Sequence, residues 1–250
     1  MERIEPRALL MDFGGVLADA PRESLAPPAL VSRLRALAGG ALTDDAIARA
    51  LVEGAAAYAR WRDEVGALDE PAELTHAEAW DFVTRAWPAA AREAVRREAT
   101  PLAYAWAWRP SWAVRPGIPE VLAAAAAAGI PVAVVSNTLC GAAHRDFLDQ
   151  VGLGDRFAVQ IYSDEAGVRK PNPRMAWLAA EAVGVPVGEC WFVGDSYARD
   201  VACARRAGVG YAVLMRSPRT ARETPTPDLL PDASVDDGHT LAPMIRASLT

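Results

Sequence analysis

Regular alternation of short apolar runs with helical segments constrains this chain more than any other feature. The apolar runs are Ala8–Phe13, Pro131–Ser136, Phe157–Tyr162, Cys190–Gly194 and Gly210–Met215. Each is about five or six residues long and rich in Val, Ile, Leu or aromatic side chains, as in strands buried on both faces. Helical patterns at Pro116–Ala128, Gly141–Val151, Pro173–Val183 and Tyr197–Ala207 alternate with the last four runs, one ahead of each. The first of these carries Pro near its start and Gly129 just past its end, the usual asymmetry of a helix. Strand and helix in regular succession predict an α/β fold with a doubly wound parallel sheet, Rossmann-like in its layering. A short last strand is expected at Ala233–Asp236, with a helix after Leu241, and the Pro-, Arg- and Thr-rich stretch after Met215 reads as surface loop.

The alternation breaks once. From Ala20 to Trp112 there is no good strand, and the pattern reads as four or five helices. Thr75-His76-Ala77-Glu78 is a capping-box pattern, and Thr43 followed by Asp44 and Asp45 is a second helix start. The chain therefore divides into an α/β core of residues 1–19 and 113–250 and an all-helical cap of residues 20–112. An insert after the first strand of such a sheet is expected over the carboxyl ends of the strands, where ligands bind. Trp61, Trp80, Trp87, Trp106, Trp108 and Trp112 lie in or beside the insert. They are expected to pack its own small core, with one or two free to line a pocket.

The charge balance of 26 basic against 32 acidic residues, net −6, argues against nucleic acid or an anionic membrane as partner. A small phosphorylated metabolite needs only a few local cations and stays open. The three cysteines, Cys140, Cys190 and Cys203, form no CxxC pair and no disulfide framework, which points to a reducing cytoplasm. The charged opening Met1-Glu2-Arg3 and the early Asp12 make a poor secretory leader. His76, His144 and His239 are scattered and give no zinc pattern. Either a monomer or a homodimer is compatible with these features.

Residues able to do chemistry fall at the ends of the predicted strands. Asp12 ends the first, in Met11-Asp12-Phe13-Gly14-Gly15; Ser136 and Asn137 end the second; Gly194-Asp195-Ser196 ends the fourth, with Asp200 beyond it. Lys170, the only lysine among the 26 basic residues, follows the third by a loop, in Arg169-Lys170-Pro171-Asn172-Pro173. A parallel sheet brings these ends to one crevice. Clustered carboxylates suit Mg²⁺, which prefers hard oxygen ligands. Hydroxyl and backbone N–H groups at a helix start suit phosphate, and an ammonium suits a phosphoryl oxygen or a carboxylate. Asp12 is placed to act as a nucleophile through an aspartyl-phosphate. Arg109 and Arg115 flank the return of the insert to the core and read as surface pairs, or as contacts to a substrate anion.

These segments, in this order, resemble the haloacid dehalogenase-like (HAD) superfamily over nearly the whole sheet domain. The matching pieces are Asp12 with Gly14-Gly15-Val16-Leu17, Arg115-Pro116-Gly117, Val134-Val135-Ser136-Asn137, Lys170-Pro171-Asn172-Pro173, and Val193-Gly194-Asp195-Ser196 with Asp200. The resemblance implies a Mg²⁺-dependent phosphomonoester hydrolase with a helical cap. It implies catalytic roles for Asp12 and Lys170, and phosphate binding by Ser136, Asn137 and Gly15. The metal would be held by Asp12, the Gly14 carbonyl, Asp195 and Asp200.

One position departs from the pattern. Typical phosphatases of that superfamily carry a second Asp two residues after the nucleophile, as general acid, and this chain has Gly14 there. General acid catalysis contributes about 10²–10⁴ in rate. The departure implies a leaving group needing little protonation, such as an anomeric sugar phosphate or an acyl phosphate, or a substitute acid, with Asp19 nearest in sequence. Alternative readings are a catalytically impaired binding or regulatory protein and a metal-free haloacid dehalogenase.

Overall fold

The computed structural model of the chain describes residues 5–21 and 23–249. The charged opening Met1-Glu2-Arg3-Ile4 lies outside them. The described chain opens with β1 (Ala8–Met11) and the two-residue β2 (Ala18–Asp19). Five helices follow: α1 (Pro28–Leu37), α2 (Asp44–Val65), α3 (His76–Thr84), α4 (Ala89–Arg97) and α5 (Ala99–Ala107). The strand β3 (Ala113–Val114) then leads into α6 (Ile118–Ala127), β4 (Val132–Ser136), α7 (Gly141–Gln150), β5 (Val159–Tyr162), the one-turn α8 (Ser163–Ala166) and α9 (Arg174–Val183). The last part holds β6 (Cys190–Gly194), a π-helical turn Tyr197–Val201 running into α10 (Ala202–Ala207), β7 (Tyr211–Met215), β8 (Ala233–Val235) and α11 (Gly238–Arg246).

Six strands form one parallel sheet in the order β5-β4-β1-β6-β7-β8. The α/β expectation and the short last strand agree with it. β1 lies between β4 and β6, so the chain winds outward on both sides of it. The crevice at such a switch point is where open α/β sheets bind ligands. The alternation of side chains along β1 explains its fully apolar sequence. Leu9 and Met11 enter the core on one face, with Ile118, Val134 and Trp191, while Ala8 and Leu10 enter the other, with Val135, Ala179 and Phe192. Each fully buried Leu contributes about 1.5–3 kcal/mol relative to an exposed one.

The five-helix insert has its own core. Leu30, Leu34, Ile47, Leu51, Trp80, Val83, Trp87, Val95, Leu102 and Trp106 pack there. Both predicted helix starts are present: Thr43 accepts from the Ala46 N–H, and Thr75 and Glu78 complete a reciprocal capping box. Two ties join the insert to the core. One is an antiparallel stem of β2 with β3, pairing Ala18 with Val114 and Asp19 with Ala113. The other is a short antiparallel bridge, Ala72 to Val168. Two residues per strand are too few for periodicity to reveal, so neither tie was legible in the sequence. Among the described residues, no helix is long and apolar enough to cross a membrane.

Two sequence expectations need correction. The segment read as a helix from Tyr197 begins as a π-helical turn, which widens the backbone so that Asp200 folds back on the end of β6. The stretch after Met215 is not merely a surface loop. Ser217 Oγ donates to Asp195 Oδ2 at 2.6 Å, Thr220 Oγ1 donates to the Asp195 carbonyl at 2.6 Å, and Glu223 accepts from Ser196 Oγ at 2.8 Å.

Candidate active site

The carboxyl ends of β1, β4 and β6 open into one cavity of about 150 Å³, lined by Asp12, Gly14, Ser136, Asn137, Lys170, Asp195 and Asp200 together with Phe13, Trp112, His144, Arg199 and Arg219. Asp12 is fixed by its place in the sheet: its N–H donates to the Val193 carbonyl at 2.9 Å. The Lys170 side chain is 2% exposed. Its Nζ donates to the Val135 carbonyl at 2.7 Å and forms ion pairs with Asp12 Oδ1 at 2.8 Å and Asp200 Oδ1 at 2.6 Å. Three oxygens thus surround the ammonium, and its charge acts first on the two carboxylates. Burial pulls the Lys170 pKa down, but Asp12 and Asp200 outweigh it and the net shift is upward.

Asp200 is held by the turn before it. Its Oδ2 accepts the N–H groups of Asp195 and Ser196 at 2.9 and 3.0 Å. Gly194 permits this, because a Cβ there would collide with the Asp200 carboxyl. Gly15 has a similar duty. Its φ of +78° suits glycine, and a Cβ would meet the Asp195 carboxylate.

One ligand oxygen each from Asp12, Asp195 and Asp200 lies within 4.8 Å of the others. Burial raises the Asp195 carboxyl to about 7, helped by the neighbouring Asp200 and Asp12 charges and opposed by Arg219 and Ser217. Burial likewise raises Asp200, against the pull of Lys170. Asp195 Oδ1 and Asp200 Oδ1 are buried, and each faces a cation: Arg219 Nε at 3.2 Å and Lys170 Nζ at 2.6 Å. Three crowded carboxylates at one buried point are the donor set of a hard divalent cation.

The comparison with protein families decides the classification. The model of the haloacid dehalogenase-like hydrolases matches residues 6–208. The chain belongs to this family. Over 121 residues it is 33% identical to the phosphoserine phosphatase of Thermus thermophilus, 48% of each chain. The chain spans less than half the length of the curated relatives it matches. Among solved structures, a HAD phosphatase from Thermococcus onnurineus superposes with a TM-score of 0.61 at 22% identity, covering 96% of this chain and 97% of that one. A 2-haloacid dehalogenase from Pseudomonas syringae pv. Tomato superposes with a TM-score of 0.63 at 18% identity, covering 98% and 100%. At those identities the likeness shows the HAD fold alone, and that fold carries both phosphatases and dehalogenases.

On this HAD framework several predicted site residues have duties the sequence did not reveal. The Asn137 side chain, read as a phosphate contact, is engaged at both ends by the Lys170 backbone: Nδ2 donates to the carbonyl at 2.8 Å and Oδ1 accepts the N–H at 2.7 Å. Asn137 is a positioning residue for Lys170. The Gly15 N–H, also read as a phosphate contact, donates to the Ala18 carbonyl at 3.0 Å, and its carbonyl accepts from Arg115. A donor engaged inside its own turn is not offered to a ligand, so Gly15 serves close packing on Asp195. Gly14 lines the cavity, and a Cβ there would meet nothing within 4 Å. Ser136 also lines the cavity and is 2% exposed.

Asp19 does not reach the cavity lining; its half-exposed carboxylate pairs with Arg115 Nε at 3.2 Å. Arg115 is 9% exposed, a buried clamp rather than a surface pair. It also donates to the Arg216 and Asp236 carbonyls at 2.9 and 3.0 Å. Arg109 donates to the Trp106 and Trp108 carbonyls at 2.5 and 3.1 Å, within the insert. Of the six tryptophans, Trp112 alone lines the cavity, against Phe13 and His144. His144 stacks on Phe13 with centroids 3.8 Å apart, and burial lowers it to about 3, so it is neutral at physiological pH. His76, read as isolated, meets Asp164 Oδ2 at 3.2 Å across the insert–core seam, with Cys140 beside them. Arg199 and Arg219 were not singled out in the sequence, where one more arginine among many carries no signal.

Proposed function

We propose that this chain is a Mg²⁺-dependent phosphomonoester hydrolase acting on a small phosphorylated metabolite. The observation that carries the reading is the packing of Asp12, Asp195 and Asp200 around Lys170 at the sheet's switch point. Asp12, Asp195, Asp200 and the Gly14 carbonyl would hold the cation. When bound, Mg²⁺ supplies positive charge that offsets the carboxylates and the phosphoryl oxygens.

An Asp12 oxygen attacks phosphorus, the bond from phosphorus to the leaving oxygen breaks, and its electron pair departs with the leaving group. Water then attacks the aspartyl-phosphate at phosphorus. The acyl–phosphate bond breaks, Asp12 is regenerated, and inorganic phosphate leaves with both protons of the water. Lys170 pairs with Asp12 and aims it, and Ser136 offers a hydroxyl to the phosphoryl group. Gly14 offers no proton, and His144 is neutral because burial holds it at about 3. The favoured substrates are therefore esters whose leaving group needs little protonation, such as an anomeric sugar phosphate or an acyl phosphate.

The names of relatives agree with a small phosphorylated substrate: phosphoserine, glyceraldehyde 3-phosphate and phosphoglycolate phosphatases are among them. The acidic trio weighs against a metal-free dehalogenase, which has no use for Asp195 and Asp200 together. Three unpaired, buried cysteines are consistent with a cytoplasmic setting. Gly14 favours one second reading, a catalytically impaired binding protein.

The test is phosphate release, with and without Mg²⁺, from p-nitrophenyl phosphate, an anomeric sugar phosphate and a simple alkyl phosphate. Turnover of the first two that requires Mg²⁺ and is lost in Asp12→Asn supports the hydrolase. No turnover of any of the three, with Mg²⁺ bound, supports the binding protein.

A further inference from the structure

Four arginines gather beside the cavity, although the chain as a whole is acidic at −6. Arg62 comes from α2 of the insert, Arg169 from the loop before Lys170, Arg199 from the π-helical turn and Arg219 from the loop after β7. They stand within electrostatic reach of one another. Only Arg169 is fully accounted for. It pairs with Glu73 at 2.8 Å, the two side chains 3% and 2% exposed, and it stacks over Trp61.

Arg62 and Arg199 are poorly matched, whereas Arg219 already stands among acidic groups. The carboxylate paired with Arg199 is Asp63 at 3.6 Å, on a side chain 75% exposed to water. Arg219 faces Asp195 Oδ1 at 3.2 Å, an oxygen also wanted by the cation. Arg62 lies over the Tyr58 ring at 5.1 Å, and its Nε is buried with no hydrogen-bond partner among the described residues. Burial disfavours the charged form of Arg62. Partly buried cations such as Arg62 and Arg199, whose nearest carboxylate is distant or exposed, are costly unless something pairs with them. Arg199 and Arg219 line the same cavity as Asp12 and Lys170. That cavity, at about 150 Å³, is smaller than typical small-molecule pockets. A bound phosphate ester must therefore extend beyond it, and Arg199 and Arg219 form part of its wall.

We propose, building on the hydrolase reading, that Arg62, Arg199 and Arg219 form a second anion subsite and that the substrate is a phosphate ester bearing a further carboxylate or phosphoryl group. Guanidinium forks bind either oxyanion in bidentate fashion. Because Arg62 belongs to the insert and the other two to the core, the second anion bridges the two.

Calorimetry with non-hydrolysable ligands and excess Mg²⁺ tests this without relying on turnover. The probes are propylphosphonate, with a neutral tail, against phosphonoacetate, phosphonopropionate and propylene bisphosphonate. At least one doubly anionic ligand is expected to bind roughly tenfold or more tightly than propylphosphonate, the effect of one charge-assisted hydrogen bond. Whether the carboxylate or the bisphosphonate gains more identifies the second group. Arg62→Gln and Arg199→Gln should each reduce the preference severalfold, and Arg62→Lys, which keeps the charge, should retain part of it. Equal affinity for neutral and anionic tails overturns the subsite, as does a preference unchanged in both Gln variants. An intact preference in a protein that releases phosphate from none of the three test substrates supports the subsite and overturns the hydrolase reading.

Discussion

Lys170 Nζ lies 2.8 Å from Asp12 Oδ1, and the same ammonium lies 2.6 Å from Asp200 Oδ1. One buried cation thus pairs with both Asp12, the proposed nucleophile, and Asp200, a proposed support of the metal site. Lys170→Met leaves both carboxylates without it. Removing one partner of a buried ion pair costs about 3–5 kcal/mol, and loss of a preorganised charge lowers kcat about 10²–10³-fold. A fall in both melting temperature and p-nitrophenyl phosphate turnover is expected. Lys170→Arg should rescue neither, because a rigid planar fork cannot put one nitrogen among the Val135 carbonyl, Asp12 and Asp200 as the compact ammonium does.

The Asp195 carboxyl titrates near 7 in the metal-free fold, raised by burial from 3.8. Between those two pH values the folded state holds a proton that the unfolded chain releases. The contribution of this group to stability is therefore greatest at the acid end of this window, falls as pH rises through it, and is gone above about 7. The shift corresponds to a loss on the order of 4 kcal/mol. Urea midpoints in EDTA should be higher near pH 5 than near pH 8. Mg²⁺ should remove most of that difference, and Asp195→Asn should remove it without metal.

Gly14 has open space where a side chain would project, and its backbone is not in the left-handed region. Gly14→Asp should therefore fold normally and place a carboxyl in the cavity. Turnover of a simple alkyl phosphate is expected to rise roughly tenfold or more, within the range of general acid catalysis. Turnover of p-nitrophenyl phosphate should change little, because its leaving group needs no proton. Equal effects on both substrates would count against the missing acid as the cause of restricted specificity.

Arg115 joins the Gly15 turn, the ends of β7 and β8, and Asp19 of the stem. Arg115→Met leaves three carbonyls short of a donor. The expected cost is about 2–4 kcal/mol, since hydrogen bonds to a charged donor contribute about 1.5–3 kcal/mol each and the site relaxes in part. Chemical denaturation measures it directly. The propylphosphonate affinity should stay within severalfold of the unsubstituted protein if Arg115 only clamps the fold.

The sequence alone determined the α/β fold and its parallel sheet. Burial on both faces forces the strands to be apolar throughout, as in Ala8–Met11, so their ends are visible where Asp12 or Gly194-Asp195 interrupts the run. A parallel sheet then brings those ends together with no further information. Which donors and acceptors are engaged was decided by tertiary structure. Asn137 closes on the Lys170 backbone, Gly15 bonds within its own turn, and Ser217 and Thr220 reach back to Asp195. The gathering of Arg62, Arg199 and Arg219 belongs to the same class. Hydrophobic period records which way a residue faces within its own element. It holds no record of which loops or helices meet, because those meetings depend on where separate segments cross in space.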